Sequence, residues 1–408
     1  VLNRVTDTYG PIPYSEIGST GKIQVAYDDQ PKVYSQMFDE LDEAIALLDE
    51  NIDRSITSTT DQVFDGTAVK WCRFANSMKL RLAMRVVYTD FVSSKGLSPQ
   101  QLGEQAVAHS VGVMQSNADN AQLSSLAFGK DGNPLYTACM YNSPAGSVTG
   151  GDSHAAADII CYMNGYEDPR REKYFSKAQF SGDNAPEYVG MRRGIAIPAL
   201  STVGLLYSGV NFVDGMATPL QWMNAAEVAF LKAEAKAVFG FDMGSGSAED
   251  FYNEGIRLSF EQWGVSGYES YIAQSSAPQI VYIDPNNGKD TYSNTLSTTS
   301  VAWKTGTPEE MQERIIIQKW IANWLLGNES WADYRRTGFP HLIPATEAGN
   351  KSGGIVDSEM GARRMPYPAE ERTTNAENYQ TAVSTLLQGA DNMATRMWWD
   401  CNPNIPRN

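Results

Sequence analysis

Residues 309–342 read EEMQERIIIQKWIANWLLGNESWADYRRTGFPHL. Within them Ile317, Trp320, Ile321, Trp324 and Leu325 recur at three- and four-residue spacing, which aligns them down one side of a helix. That side belongs to a core. Thr307 suits the N-cap, Pro308 the first helical position, and Glu309 and Glu310 the positive end of the helix dipole, with Gly327 as the expected stop. Beyond Gly327 a second short helical segment carries Trp331, Tyr334 and the pair Arg335 and Arg336, and closes at Gly338 and Pro340. So many large aromatics mark a junction between packed layers. Glu329 and Asp333 lie four apart and are expected to neighbour the two arginines. A glycosidase acid pair is the alternative, although such pairs usually come from different elements facing across a cleft.

Working outward, residues 31–50 place Val33, Met37, Leu41, Ala44, Ile45 and Leu48 at helical spacing with acids opposite. Residues 66–88 follow with Trp71, Ala75, Met78, Leu82 and Val86, so the two helices are expected to pair. The polar side of the second carries Arg73, Lys79, Arg81 and Arg85. An anion or partner site is one reading of that band; the plainer one is that long stems cover apolar surface and pair with acids of a neighbouring helix. A third helix is predicted over 98–115. Farther along, residues 220–239 set Ala226, Ala229 and Ala233 beside Phe230 and Leu231. Residues 247–264 answer with Phe251, Gly255, Ile256, Ser259 and Phe260, which gives a helix hairpin somewhat longer than a tetratricopeptide unit. A further pair is expected between 309–327 and the helix near 375–388. The fold class is therefore mostly α: a tetratricopeptide-like scaffold of helical hairpins over 31–117 and 219–342, a loop-rich region over 120–218, few short strands, and a C-terminal segment over 343–408. Residues 1–30, rich in Pro, Gly and Tyr, read as an extended loop.

Composition narrows the function. The chain has 408 residues and a formal charge of −16, which repels nucleic-acid phosphates. Its four cysteines and three histidines show no ligand-like spacing, and no apolar run is long enough to span a bilayer. Asp284, Asn286, Asn287 and Asp290 offer oxygens to calcium, but the stretch misplaces the loop glycine and lacks the distal glutamate. No metal or cofactor is expected, and no nucleophile elbow, zincin helix or phosphate loop is present. Binding is favoured over catalysis. A hundred residues of Gly, Ser, Asn and Tyr texture over 120–219 are uncommon unless they build a binding surface. Tyr136, Tyr141, Tyr207 and Phe212 there, and Trp303 just before the long helix, belong to no periodic apolar line, so they are the candidate ligand contacts. For each, the alternative is that it anchors its loop on the core.

The strings QKWI at 318–321 and ESWADYRRTGFP at 329–340 resemble the SusD/RagB-like nutrient-binding outer-membrane lipoproteins of Bacteroidetes. Residues 71–85, Asp168-Pro169-Arg170, residues 224–235 with 252–264, and Arg364-Met365-Pro366-Tyr367-Pro368 are similar to the same family in the same order. The resemblance implies a single domain, no catalysis, and capture of a nutrient at the outer surface of the outer membrane. It also implies a partner, a SusC-like TonB-dependent transporter. A glycan or oligosaccharide is the expected ligand, with a peptide-binding RagB-like importer subunit and a glycoside hydrolase with a helical body as alternatives. Residues 7–15 resemble an internal loop of the family. An N-terminal portion bearing the secretion signal and lipid-carrying cysteine is therefore expected to lie outside this sequence.

Overall fold

Helix starts are written in side chains that accept from free backbone N–H groups. The computed structural model describes residues 1–406 apart from 19–20, 56, 58–59, 143–146, 149–152, 184 and 197–205. In chain order its helices are α1 (Leu2–Tyr9), α2 (Gln30–Glu50), α3 (Ala68–Arg85), α4 (Pro99–Ala108), α5 (Pro134–Met140), α6 (Ala157–Gly165) and α7 (Arg171–Tyr174). They continue as α8 (Ala225–Phe239), α9 (Ala248–Trp263), α10 (Tyr268–Ile272), α11 (Pro308–Ala322), α12 (Gly327–Thr337), α13 (Glu371–Thr374) and α14 (Ala376–Thr381). Strands β1 (Ala121–Leu123) and β4 (Leu220–Met223) form one antiparallel pair, and β2 (Tyr141–Asn142) and β3 (Ser147–Val148) another. Capping boxes open α4 at Ser98 and Gln101, α9 at Ser247 and Asp250, and α11 at Thr307 and Glu310.

The helices pair largely as their patterns require. α2 packs on α3, α3 on α4, and α8 on α9. Between α8 and α9 the approach is close at Gly255, where a Cβ would lie 2.7 Å from the Phe230 ring. The third expected pair is not formed. α11 lies against α8 and α9 instead, and α14 packs on the turn that follows it, under Tyr27 and Tyr367. The all-round apolar character of Ile315, Ile316, Ile317 and Ile321, each at most 1% exposed, explains this: α11 is a central helix, not one arm of a surface hairpin.

Four boundaries differ from the sequence reading. Residues 1–30 contain α1, which buries Asn3, Thr6 and Asp7 and exposes Leu2 and Val5. A helix with its polar side inward carries no apolar stripe toward the core. The helix from residue 98 ends at Ala108 and not at 115, because α3 side chains capture the next backbone: Asn76 Nδ2 donates to the Gly112 carbonyl (3.0 Å) and Met114 N–H to Ser77 Oγ (2.9 Å). Residues 220–223 form β4, and Asn224, accepting from Glu227 N–H at 2.7 Å, begins α8. Finally α11 stops at Ala322. Leu325 takes a left-handed φ of 69°, and Gly327 begins α12 instead of ending α11. Trp324 thus lies in the turn, stacked on Tyr174 at 5.2 Å and edge-on to Phe175 at 4.9 Å.

The cationic band of α3 is consumed by acids, most of them buried. Arg81 forks onto Glu227 of α8 (2.7 Å twice), and Arg85 bridges Asp7 of α1 (3.2 Å) and Glu329 of α12 (2.5 Å). Nearby, Arg336 forks onto Glu234 (2.7 and 2.8 Å) and reaches Asp333 (3.1 Å), which Lys319 also holds at 2.8 Å. Arg336 therefore pairs as expected, whereas Glu329 finds its partners on α3. Among the described residues Arg335 has no carboxylate partner: it donates to the carbonyls of Asp7 (2.6 Å) and Arg363 (2.9 Å) and lies over the Trp331 and Trp399 rings. Burial alone would raise Glu329, but Arg85, Arg81 and Lys319 outweigh it and hold the carboxyl below its ordinary range. Asp333 is likewise lowered, with Lys319 and Arg336 outweighing burial. For Asp7 burial wins and the shift is upward.

Two predictions follow from this packing. Gly255→Ala should destabilise the protein by about 1–3 kcal/mol through overpacking, although alanine in an open helix would help by about 1 kcal/mol. Urea unfolding of both proteins checks the sign, and a stabilised variant would show that the Phe230 contact yields freely. Glu329→Gln should cost about 3 kcal/mol at neutral pH, because two buried guanidiniums lose a charged partner. Since the folded pKa lies below the unfolded value of about 4, that contribution is present above pH 4 and lost as the pH falls through and below it. The stability gap between parent and variant should accordingly narrow from pH 6 to pH 3 in urea titrations, and a gap independent of pH would contradict the assignment.

Candidate functional site

In the loop-rich stretch between the helical blocks, a buried asparagine fastens two segments to each other. Asn133, followed by Pro134, sits at the entry to α5 and is 1% exposed. Its backbone N–H donates to the Met216 carbonyl (2.9 Å), its Nδ2 to the Thr218 carbonyl (2.8 Å), and its Oδ1 accepts from Leu135 N–H (2.8 Å). Gly132, at a φ of 69°, lets the chains approach so closely that a Cβ would sit 2.7 Å from that of Met216. Residues 132–137 are thereby stapled to the 3-10 turn Gly215–Ala217. This staple brings Tyr136 and Phe212 together edge to face, with centroids 5.4 Å apart at 81°. Both rings are half-buried, and Val213 and Met216 beside them are 60% and 45% exposed. The result is a rigid apolar platform with a phenol at its margin, an arrangement that suits a flat ligand face with polar edges.

The other expected contacts lie elsewhere. Tyr207 is 3% exposed; its hydroxyl donates to Asp284 Oδ1 (2.7 Å) and its ring meets Phe180 edge to face. Burial, then the Asp284 carboxylate, push the phenol upward. Trp303 is half-buried and packs on Tyr252 at 5.3 Å, whose hydroxyl donates to the Val301 carbonyl. In this structure Tyr207 and Trp303 anchor their segments on the core. Tyr141 belongs to β2, opposite Val148, and its side chain lies outside the described residues. Asn133, Val213 and Met216 escaped the sequence reading, which weighed only aromatics. The dipeptide Asn133-Pro134 was the available signal, since that pair favours turn initiation.

The acids considered for other chemistry are occupied. Asp284 accepts from Tyr207 and from the N–H groups of Asn286 and Asp290 (3.1 Å each), so its turn closes on its own backbone. Among the described residues no group of three or more His, Cys, Asp or Glu is placed to hold a metal ion. Glu329 and Asp333, 5% and 4% exposed, are ion-paired inside the scaffold. Elsewhere the loop layer is tied down by Arg170, which forks onto Asp168 (3.0 and 2.6 Å) and donates to Ser259 of α9 (2.8 Å). Arg192 adds bonds to the carbonyls of Pro344 and Asp290 (3.0 Å each).

Paired helices carrying a fixed loop layer define the class: a helical-hairpin scaffold in the tetratricopeptide manner. A family model described as "SusD-like: Susd and RagB outer membrane lipoprotein" matches residues 1–400, and the chain belongs to that family. Among solved structures it is similar to a SusD homologue of Bacteroides uniformis, at 52% identity and a TM-score of 0.90 over 98% of this chain and 79% of that one. A SusD homologue of Bacteroides ovatus matches at 42% identity and a TM-score of 0.87, over 98% and 80% of the two chains. A chitin-binding SusD homologue of Flavobacterium johnsoniae matches at 39% and 0.85, over 98% and 78%. No curated protein matches. Among the described residues no helix is long and apolar enough to cross a membrane.

Changing Tyr136 or Phe212 to Ala should weaken ligand binding by about tenfold, roughly 1.4 kcal/mol, with an unaltered melting temperature. Calorimetry on both variants checks this, and parental affinity in both would remove the platform from the site.

Proposed function

We propose that this protein is a non-catalytic, surface-exposed glycan-binding lipoprotein that passes oligosaccharide to a SusC-like TonB-dependent transporter. The observation that carries the reading is the Tyr136–Phe212 platform, half-exposed between the short helix α5 and the loop before the 215–217 turn yet fixed by the buried Asn133. An aromatic face of that kind covers the C–H surface of a pyranose while hydroxyls around the ring find polar atoms at its edge. Membership of an outer-membrane lipoprotein family supports the location, and the chitin-binding relative supports the ligand class. The engagement of Glu329 and Asp333 in the ion network supports binding without hydrolysis.

Arrays of glycans and peptides, followed by incubation of each hit with protein and measurement of reducing ends, test this reading. The expected outcome is saturable glycan binding with no new reducing ends. Sustained release of reducing ends, or binding confined to peptides, would overturn it. Co-purification with a barrel transporter from gently extracted native membranes is expected as well.

A further inference from the structure

A second surface, remote in sequence from the platform, has the chemistry of a saccharide subsite. A cleft of about 600 Å³ between the 354–360 loop and the C-terminal segment adjoins a smaller one of about 140 Å³ beside the start of α2. Gln388, Arg396 and Trp398 line both, so the two clefts meet at Trp398. The Trp398 ring is half-buried and held edge-on by Tyr34 and by Phe91, both at 5.9 Å. Its backbone N–H donates to Gln30 Oε1 (2.9 Å), which fixes the residue further. The indole N–H, in contrast, has no acceptor among the described residues and is not among the buried unpaired atoms, so it is available to a ligand.

The polar groups around that ring are equally unspent. Gln388 is exposed and its amide makes no hydrogen bond among the described residues. Asp357 uses Oδ1 to accept from the N–H groups of Glu359 and Met360 (2.8 Å each) and leaves Oδ2 open. One fixed aromatic ring, one N–H donor, one amide and one carboxylate oxygen are a small set of orienting groups on a shaped surface, as ligand sites require. Arg396 does not add a free cation, since its guanidinium serves Asp400 (3.2 Å) and the Pro406 carbonyl. Asp357 and Asp400 line the larger cleft and Asp29 the smaller, so the groove presents no net positive charge to a peptide carboxylate or phosphate, whereas a hydroxyl-rich neutral ring finds donors, acceptors and a face.

We infer that the Trp398 groove is a second contact surface for a neutral oligosaccharide, separate from the Tyr136–Phe212 platform. The inference rests on the glycan-binding reading and extends it from one surface to two. The test uses protein carrying 5-fluorotryptophan, with Trp398→Phe identifying the fluorine resonance of that position, titrated with chitohexaose, cellohexaose and maltohexaose. Gln388→Ala, at an exposed residue without partners, is titrated by calorimetry in parallel. For whichever hexaose binds, the Trp398 resonance should shift on saturation, and Gln388→Ala should lose about three- to tenfold in affinity with an unchanged melting temperature. Binding that leaves the resonance unmoved and Gln388→Ala at parental affinity overturns this inference alone. Failure of all three hexaoses, and of the glycan array, overturns it together with the glycan-binding reading.

Discussion

Buried charge pairing is the constraint on which the arrangement of this protein depends. Arg81 and Arg85 project from one helix into carboxylates drawn from α1, α8 and α12, and Arg336 and Lys319 meet Glu234 and Asp333 a turn away. Taking such ions out of water costs several kcal/mol each, and only short, forked, fully paired geometry offsets it. That requirement is directional where apolar packing is not. It admits one rotation and one height of α3 against its neighbours, and it joins segments more than 200 residues apart. The apolar contacts of α8, α9 and α11 then fill in around a frame whose register is already set.

The loop layer inherits that rigidity through polar anchors. Arg170 connects the turn at Asp168 to Ser259, Asp158 accepts from Ile343 N–H, and Arg192 reaches the carbonyls of Pro344 and Asp290. Loops held this way can leave aromatic rings half-exposed without collapsing onto them. The Tyr136–Phe212 pair is oriented by Asn133, and Trp398 by Tyr34, Phe91 and Gln30. In each case the exposed ring is preorganised, so a ligand meets it with little conformational entropy to remove.

Much of the scaffold was legible in sequence because it obeys local rules. Thr307, Pro308 and Glu310 announced the start of α11, and the alanines of α8, with Gly255 of α9 set against Phe230, announced the α8–α9 hairpin. What escaped were elements whose logic is tertiary. α1 turns Thr6 and Asp7 inward because partners from α2, α3 and the C-terminal segment await them, a pattern apolar periodicity reads backwards. The partner of α11 was missed because a helix apolar on several sides names no neighbour. At the candidate site, aromatic content singled out the loop-rich region but could not separate Tyr207, whose hydroxyl is committed to Asp284, from Phe212, which packs at the surface. Glu329 shows the same limit for charge: its arginine partners lie on α3, about 245 residues away, and not in the adjacent pair.

The proposed function requires that ligand be taken up on the preorganised platform segments while the ion-paired scaffold stays as it is. Hydrogen–deuterium exchange with and without saturating glycan measures this. New protection is expected at backbone amides around 132–140 and 206–217, with exchange in α3, α8, α11 and α12 unchanged. Protection that appears in those four helices, with none in the loops, would contradict it.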